Sequence, residues 1–246
     1  GTPAAVAAAF SLGAAYVMTG SVNQACVEAG TSPMVKRMLA EAGMAEVAMA
    51  PASDMFEGGA QVQVLRRGTM FAMRAQLLAE WYRTFPSLEA LPDDVRSRLE
   101  AQILGSPIGE GWAACERYFA ERDPAQLDRA ATDARHRMAL VFRWYLGRSS
   151  RWAIDGDEAR QTDVQVWCGP AMGAFNDWTR GSWLADPDRR TVVAVMANLM
   201  TGAAVLRRAE WLRDQGVDVR LDAYGFRPRP LAATTRPTRA EGADAR

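Results

Sequence analysis

The residues best suited to hold an anion in this chain are Thr19-Gly20-Ser21. A glycine lets the backbone approach a phosphate closely, and the following N–H groups and a serine hydroxyl can then donate to its oxygens. Gln24 is a weaker neighbour, and the plain alternative for the tripeptide is a strand-to-loop turn. Asp54 and Glu57 stand three apart. A carboxyl there, with a raised pKa and close to a reacting carbon, would serve as a general acid; otherwise the pair caps a loop. Phe142, Trp144, Tyr145 and Trp152 interleave with Arg143, Arg148 and Arg151. They read either as a core with arginines at its rim or as a surface that stacks on a nucleotide or contacts phosphopantetheine. Gly169, Ala171 and Gly173 crowd one turn and read as close helix packing, with a lid over an acyl chain as the sharper alternative. Cys26 and Cys168 have no base nearby in sequence and read as small packed residues. The single histidine, His136, sits between two arginines and is expected at an exposed or partly exposed helix start. With Cys115, the three cysteines show no CxxC pairing, so neither a zinc site nor a disulfide framework is expected.

These residues need elements to position them. Thr2-Pro3 caps a helix that stops at Gly13, and residues 15–19 read as a buried apolar strand. A helix feeding directly into such a strand is the unit of a parallel α/β fold, and the loops after the last strands of a (β/α)8 barrel commonly hold a phosphate. Ser32-Pro33 starts a second helix, 46–51 reads as strand or extended, and 60–65 as an edge strand or the lead into a helix. From 69 onward the spacing is helical, with proline-marked starts near Pro92, Pro107, Pro124 and Pro187. The last helix, ending at Gly216, carries Val192, Met196, Leu199, Ala203 and Leu206 on one stripe. The expected class is therefore α/β, with the C-terminal βα units of a TIM barrel over 1–66 and a mainly α-helical domain over 67–221. A proline-rich, disordered tail is expected over 222–246.

Composition excludes several partners. Lys+Arg and Asp+Glu are balanced at 29 each, and Lys36 is the only lysine, so no global field favours nucleic acid or an anionic membrane. No membrane span is expected, and sparse, unpaired cysteines suit a reducing, cytoplasmic setting. The chain opens on a helix cap without methionine and reads as a piece of a larger domain.

Three segments carry a family resemblance. MAPASDMFEGGAQVQVLRRGTMFAMRAQ, MALVFRWYLGRSSRW and VWCGPAMGAFNDWTRGSW closely resemble the PfaD family, and residues 1–32 are similar to the final barrel units of the wider nitronate monooxygenase superfamily. PfaD proteins are trans-acting enoyl reductases of polyunsaturated-fatty-acid and polyketide synthases. The resemblance implies FMN at the mouth of a TIM barrel and NADPH as hydride donor. It also implies an enoyl thioester on an acyl carrier protein, which receives hydride at its β-carbon and a proton at its α-carbon. Gly20 and Ser21 match the family's second FMN-phosphate loop, with Thr19 beside them. The family's first, Gly-Gly loop and its flavin-site histidine lie upstream of Gly1. The expected function is thus the C-terminal part of an FMN-dependent enoyl reductase. A nitronate monooxygenase-like oxidase and a non-catalytic docking fragment are the alternatives, and a lone barrel piece is expected to be marginally stable.

Overall fold

The computed structural model describes residues 1–231, and among them the protein is a helical assembly around one two-stranded sheet. Side-chain caps set several helix starts. In α1 (Pro3–Ser11) the Thr2 hydroxyl accepts from Ala5 N at 3.3 Å. In α3 (Pro33–Ala40), which follows the four-residue α2 (Ser21–Gln24), Ser32 Oγ accepts from Val35 N at 3.3 Å. Each cap satisfies an N–H that the first turn leaves without an intrahelical partner. On α3, Lys36 Nζ donates to Val27 O at 2.7 Å.

The sheet corrects the expected fold class. β1 (Val47–Pro51) pairs antiparallel with β2 (Gln61–Leu65), Val47 opposite Leu65 and Pro51 opposite Gln61. Residues 52–60 connect them, too short a link for the crossover of a dozen or more residues that a parallel pair requires. Residues 165–168 run along the free side of β2, with Leu65 N donating to Val166 O at 2.8 Å and Cys168 N to Gln63 O at 3.2 Å. No βα barrel unit is present among the described residues. The segment read as a buried strand, 15–19, makes no backbone hydrogen bond among them, and Tyr16 and Met18 are 73% and 82% exposed. An apolar run forms a strand only where a partner edge takes its N–H and C=O groups, and here none does.

The helical mass follows: α4 (Phe71–Thr84), α5 (Asp93–Arg98), α6 (Ile108–Arg122), α7 (Pro124–Ala130), α8 (Ala134–Asp155), α9 (Pro170–Thr179) and α10 (Val192–Asp214). α5 runs on into a wider π turn, Leu99–Leu104, closed by Gly105 in the left-handed region at φ 74°. Facing residues of α4 and α8 form the centre of the core: Phe71 stacks on Tyr145 at 6.4 Å between ring centroids, and Phe142 meets Phe56 edge-on at 6.1 Å. Val64 and Leu65 of the sheet belong to the same core.

Two helix contacts depend on glycine. At Gly173 of α9 a Cβ would overlap the backbone at Gly43 and Met44, so α9 lies directly on the loop after α3. At Gly202 of α10 a Cβ would meet Pro3 Cγ at 2.6 Å and Phe226 Cδ1 at 3.0 Å, so α1 and the chain after α10 close in on this point. α10 begins later than the Asp186-Pro187 signal: those residues form a separate 3₁₀ turn, and Thr191 caps the long helix. Its buried face is Ala194, Val195, Asn198, Leu199, Gly202, Ala203 and Ala209, rotated from the predicted stripe, with Val192 exposed. By length and composition α10 is long and apolar enough to cross a membrane; here that small-residue face is packed inside the fold. Residues 222–231, expected in the tail, run back over α9 and α10: Trp178 Nε1 donates to Phe226 O at 3.0 Å, and Asn198 bonds Arg229 N and O at 2.9 and 3.0 Å. The rest of the predicted tail, 232–246, lies outside the described residues.

Candidate functional site

The Thr19-Gly20-Ser21 turn leads into α2, with Gly20 at the N-cap position. Among the described residues the N–H groups of Gly20, Ser21 and Val22 have no hydrogen-bond acceptor, and the space beside the Gly20 Cα is open. Thr19 Oγ1 donates to Asn23 Oδ1 at 2.8 Å. Ser21 Oγ accepts from Gly169 N at 2.9 Å, which leaves its own proton free to donate. Gln24 Nε2 donates to Trp167 O at 2.8 Å, tying α2 to the same segment. Three unused backbone donors in consecutive residues therefore stand beside one hydroxyl, a donor set whose chemistry fits a phosphate.

A second site lies between α6 and α8, a groove of about 810 Å³. Arg143, Trp144, Gly147, Arg148 and Arg151 line it from α8, and Ala114, Tyr118, Phe119 and Arg122 from α6; Ser53 and Asp54 close one end. The spacing i, i+4, i+8 on each helix puts each set on one face. The aromatic–arginine run read from the sequence is thus divided. Phe142, Tyr145 and Trp152 are buried in the core, whereas Trp144 and the three arginines face the groove. Arg143 Nε donates to Ser53 O at 3.1 Å and its Nη1 lies 3.9 Å from Glu57 Oε2. The α6 half was missed in sequence; Arg122 four residues after Tyr118, with its guanidinium 4.2 Å from that ring, was the available signal.

His136 departs from expectation. It is 2% exposed, with Nδ1 3.0 Å from Glu57 Oε1 and Nε2 2.9 Å from Gln126 Oε1. Asp133 caps this helix start, accepting from His136 N at 2.9 Å. The connection 52–60 and α7 then fold over the ring from opposite sides. Glu57 is committed to this network, and Asp54 is left on the groove.

Two buried polar clusters had no sequence signal. Asp163, 4% exposed, takes Arg74 on one oxygen and Arg160 on the other at 3.2 Å, and accepts from Tyr145 OH at 2.7 Å. Burial, with Asp163 beside it, pushes the Tyr145 phenol well above its ordinary range. Arg190 is also buried, donating to Leu184 O at 2.9 Å, Asn176 Oδ1 at 3.0 Å and Ala185 O at 3.4 Å. Burial pulls its guanidinium down to about 10. Asn176 in turn donates to Leu39 O and Ala42 O, both at 2.8 Å, capping the end of α3.

Cys26, Cys115 and Cys168 are free and buried, and burial pushes their thiols up to about 11, 12 and 11. Thiolate is scarce at neutral pH, so iodoacetamide is expected to leave all three unmodified in the native chain and to label all three in denaturant; rapid native labelling would contradict this burial. Between pH 9.0 and these values the folded chain keeps protons that the unfolded chain releases, so their contribution to stability falls as pH rises through that window. No group of three or more His, Cys, Asp or Glu among the described residues is arranged to hold a metal.

Residues 85–164, which run from the end of α4 to just past α8, match the family described as acyl-carrier-protein S-malonyltransferase, inserted helical domain. That match corrects the PfaD resemblance: over residues 85–164, from the end of α4 through α8, the family model that fits is the inserted helical domain of a malonyltransferase and not PfaD. Over longer stretches the chain is similar to large synthase components. It is 46% identical over 213 residues to the polyketide biosynthesis protein ThaF of Burkholderia thailandensis, covering 86% of this chain and 18% of that protein. It is 42% identical over 233 residues to a component of the polyunsaturated fatty acid synthase of a Thraustochytrium species, covering 92% and 16%. Among solved structures, the enoyl reductase domain of MlnA, from the macrolactin biosynthesis cluster of Bacillus amyloliquefaciens, superposes with a TM-score of 0.81 at 36% identity, over 86% of this chain and 47% of that one. The chain therefore spans less than a fifth of these two curated relatives and about half of the solved domain.

Proposed function

We propose that this chain forms part of an enoyl reductase acting on acyl chains held by an acyl carrier protein, in the assembly of a polyketide or polyunsaturated fatty acid. The observation that carries this reading is the likeness to the macrolactin enoyl reductase domain, which extends over 86% of the chain. FMN is the proposed cofactor, with its phosphate on the N–H groups of Gly20, Ser21 and Val22 and on the Ser21 hydroxyl, and NADPH is the proposed donor. When bound, the flavin supplies the hydride chemistry, and this chain's part is to fix the phosphate and so the position of the ring. A second reading, acyl transfer, is favoured by the malonyltransferase match, but that match covers only residues 85–164. Within those residues His136 is held between Glu57 and Gln126.

The test combines this chain with the remaining part of the macrolactin reductase domain, FMN, NADPH and crotonyl-loaded carrier protein. NADPH oxidation that requires both polypeptides and the enoyl group is the expected result. Ser21→Asp, which sets a carboxylate against the phosphate, is expected to weaken FMN binding by roughly tenfold or more. Malonyl transfer to the carrier protein without enoyl reduction would instead establish the acyltransferase reading.

A further inference from the structure

We infer that the α6–α8 groove receives the phosphopantetheine arm of an acidic acyl carrier protein, with the arginines holding the arm's phosphodiester and the carrier's acidic surface. The inference rests on the proposed function, because it names how the carrier-borne substrate is met. In a chain whose charges balance overall, four arginines, Arg122, Arg143, Arg148 and Arg151, line one groove against a single lining carboxylate, Asp54. Two of the four are already engaged: Arg143 with Ser53 O and Glu57, and Arg151 with Asp155 Oδ2 at 3.0 Å. Arg122 and Arg148 have no carboxylate partner among the described residues; their guanidiniums lie 4.2 and 5.7 Å from the rings of Tyr118 and Trp152. Such weakly hydrated, planar cations are well matched to a phosphodiester, which they can hold through paired N–H donors.

The rest of the groove suits the arm beyond its phosphate. Tyr118, Phe119 and Trp144 give it aromatic walls, and Gly147 leaves its floor open, since a Cβ there would meet nothing within 4 Å. A glycine in the middle of a helix lowers helix stability, and no close backbone approach at Gly147 accounts for it. What its missing side chain supplies is space in the groove. The shape also decides the occupant. A free small thioester is usually held in an enclosed pocket that buries most of its surface. This groove is open to solvent, with Arg148, Arg151 and Arg122 exposed at its rim. That form admits a tethered arm while its carrier rests on the rim, where complementary charge guides association.

The experiment measures binding of the whole chain to one bacterial acyl carrier protein in its holo and apo forms, and to coenzyme A, by calorimetry. The expected result is holo-carrier binding roughly tenfold or more tighter than apo-carrier and coenzyme A, weakening as salt rises. Arg122→Glu and Arg148→Glu, both at exposed positions, are expected to weaken holo binding by roughly tenfold each. Gly147→Phe fills the groove and should remove the holo-over-apo preference without lowering the melting temperature, so a loss cannot be ascribed to misfolding. Equal holo and apo binding, no binding, or wild-type affinity in all three variants would overturn the inference. Coenzyme A binding as tightly as the holo carrier would overturn it as well, making the groove a site for the free cofactor. Groove binding that survives while the combined polypeptides reduce no enoyl thioester would sink the reductase reading alone.

Discussion

Replacing Asp163 by alanine is expected to lower stability by about 3–5 kcal/mol, the usual cost of removing one partner from a buried ion pair. Among the described residues Asp163 is the one acceptor that joins Arg74 of α4, Tyr145 of α8 and Arg160 of the turn after it. Without it two mostly buried guanidiniums and a buried phenol lose their counterpart at once, in the middle of the α4–α8 core. Asp163→Asn keeps an acceptor for Tyr145 and is expected to fall between the two. Urea unfolding followed by tryptophan fluorescence reads the difference directly. A midpoint for Asp163→Ala within error of the parent would show that the cluster is not held as described.

Gly173→Ala is expected to destabilise by about 3 kcal/mol or more, or to yield insoluble protein, although alanine is the better helix former. The added methyl has no flexible side chain to displace. It meets backbone at Gly43 and Met44, so α9 must lift from the loop after α3. That movement also strains the Asn176 bonds to Leu39 O and Ala42 O and the Arg190 bond to Asn176. Gly147→Ala, on the open groove, is the control and is expected to be neutral or stabilising by about 1 kcal/mol. If the two alanines melt together, the close approach of α9 is wrong.

Local features were legible in the sequence. Thr2-Pro3 and Ser32-Pro33 act as caps because capping needs only neighbours three residues away. The long helices followed from their period; 46–51 read as strand or extended, while 60–65 read as an edge strand or the lead into a helix, and both pair as strands. Pairing was not legible. Tyr16 and Val17 are strand formers, yet a strand requires an edge to pair with, and 15–19 meets none among the described residues. The direction of the β1–β2 pair was carried by its short connection rather than by either strand. In the groove, the α8 arginines could be read from one continuous run, while Arg122 and Tyr118 belong to a different helix and only folding brings them opposite. His136 stands at a helix start as its sequence suggests, but its burial was not legible: it comes from Glu57, distant in sequence, and Gln126, on the preceding helix, and neither contact has a local signature.

Lys36 has a consequence for how the molecule can be watched. Because every other basic side chain is arginine or the lone histidine, a protease specific for lysine has a single point of attack within these 246 residues, in the middle of α3. That ammonium is tied to Val27 O, and a helical backbone does not enter a protease cleft, so cutting must wait for α3 to unwind. The rate of this one scission is then a clock for the opening of α3, obtained without adding any label. Two fragments, broken at Lys36 and appearing together, would time that opening separately from the unfolding of the α4–α8 core.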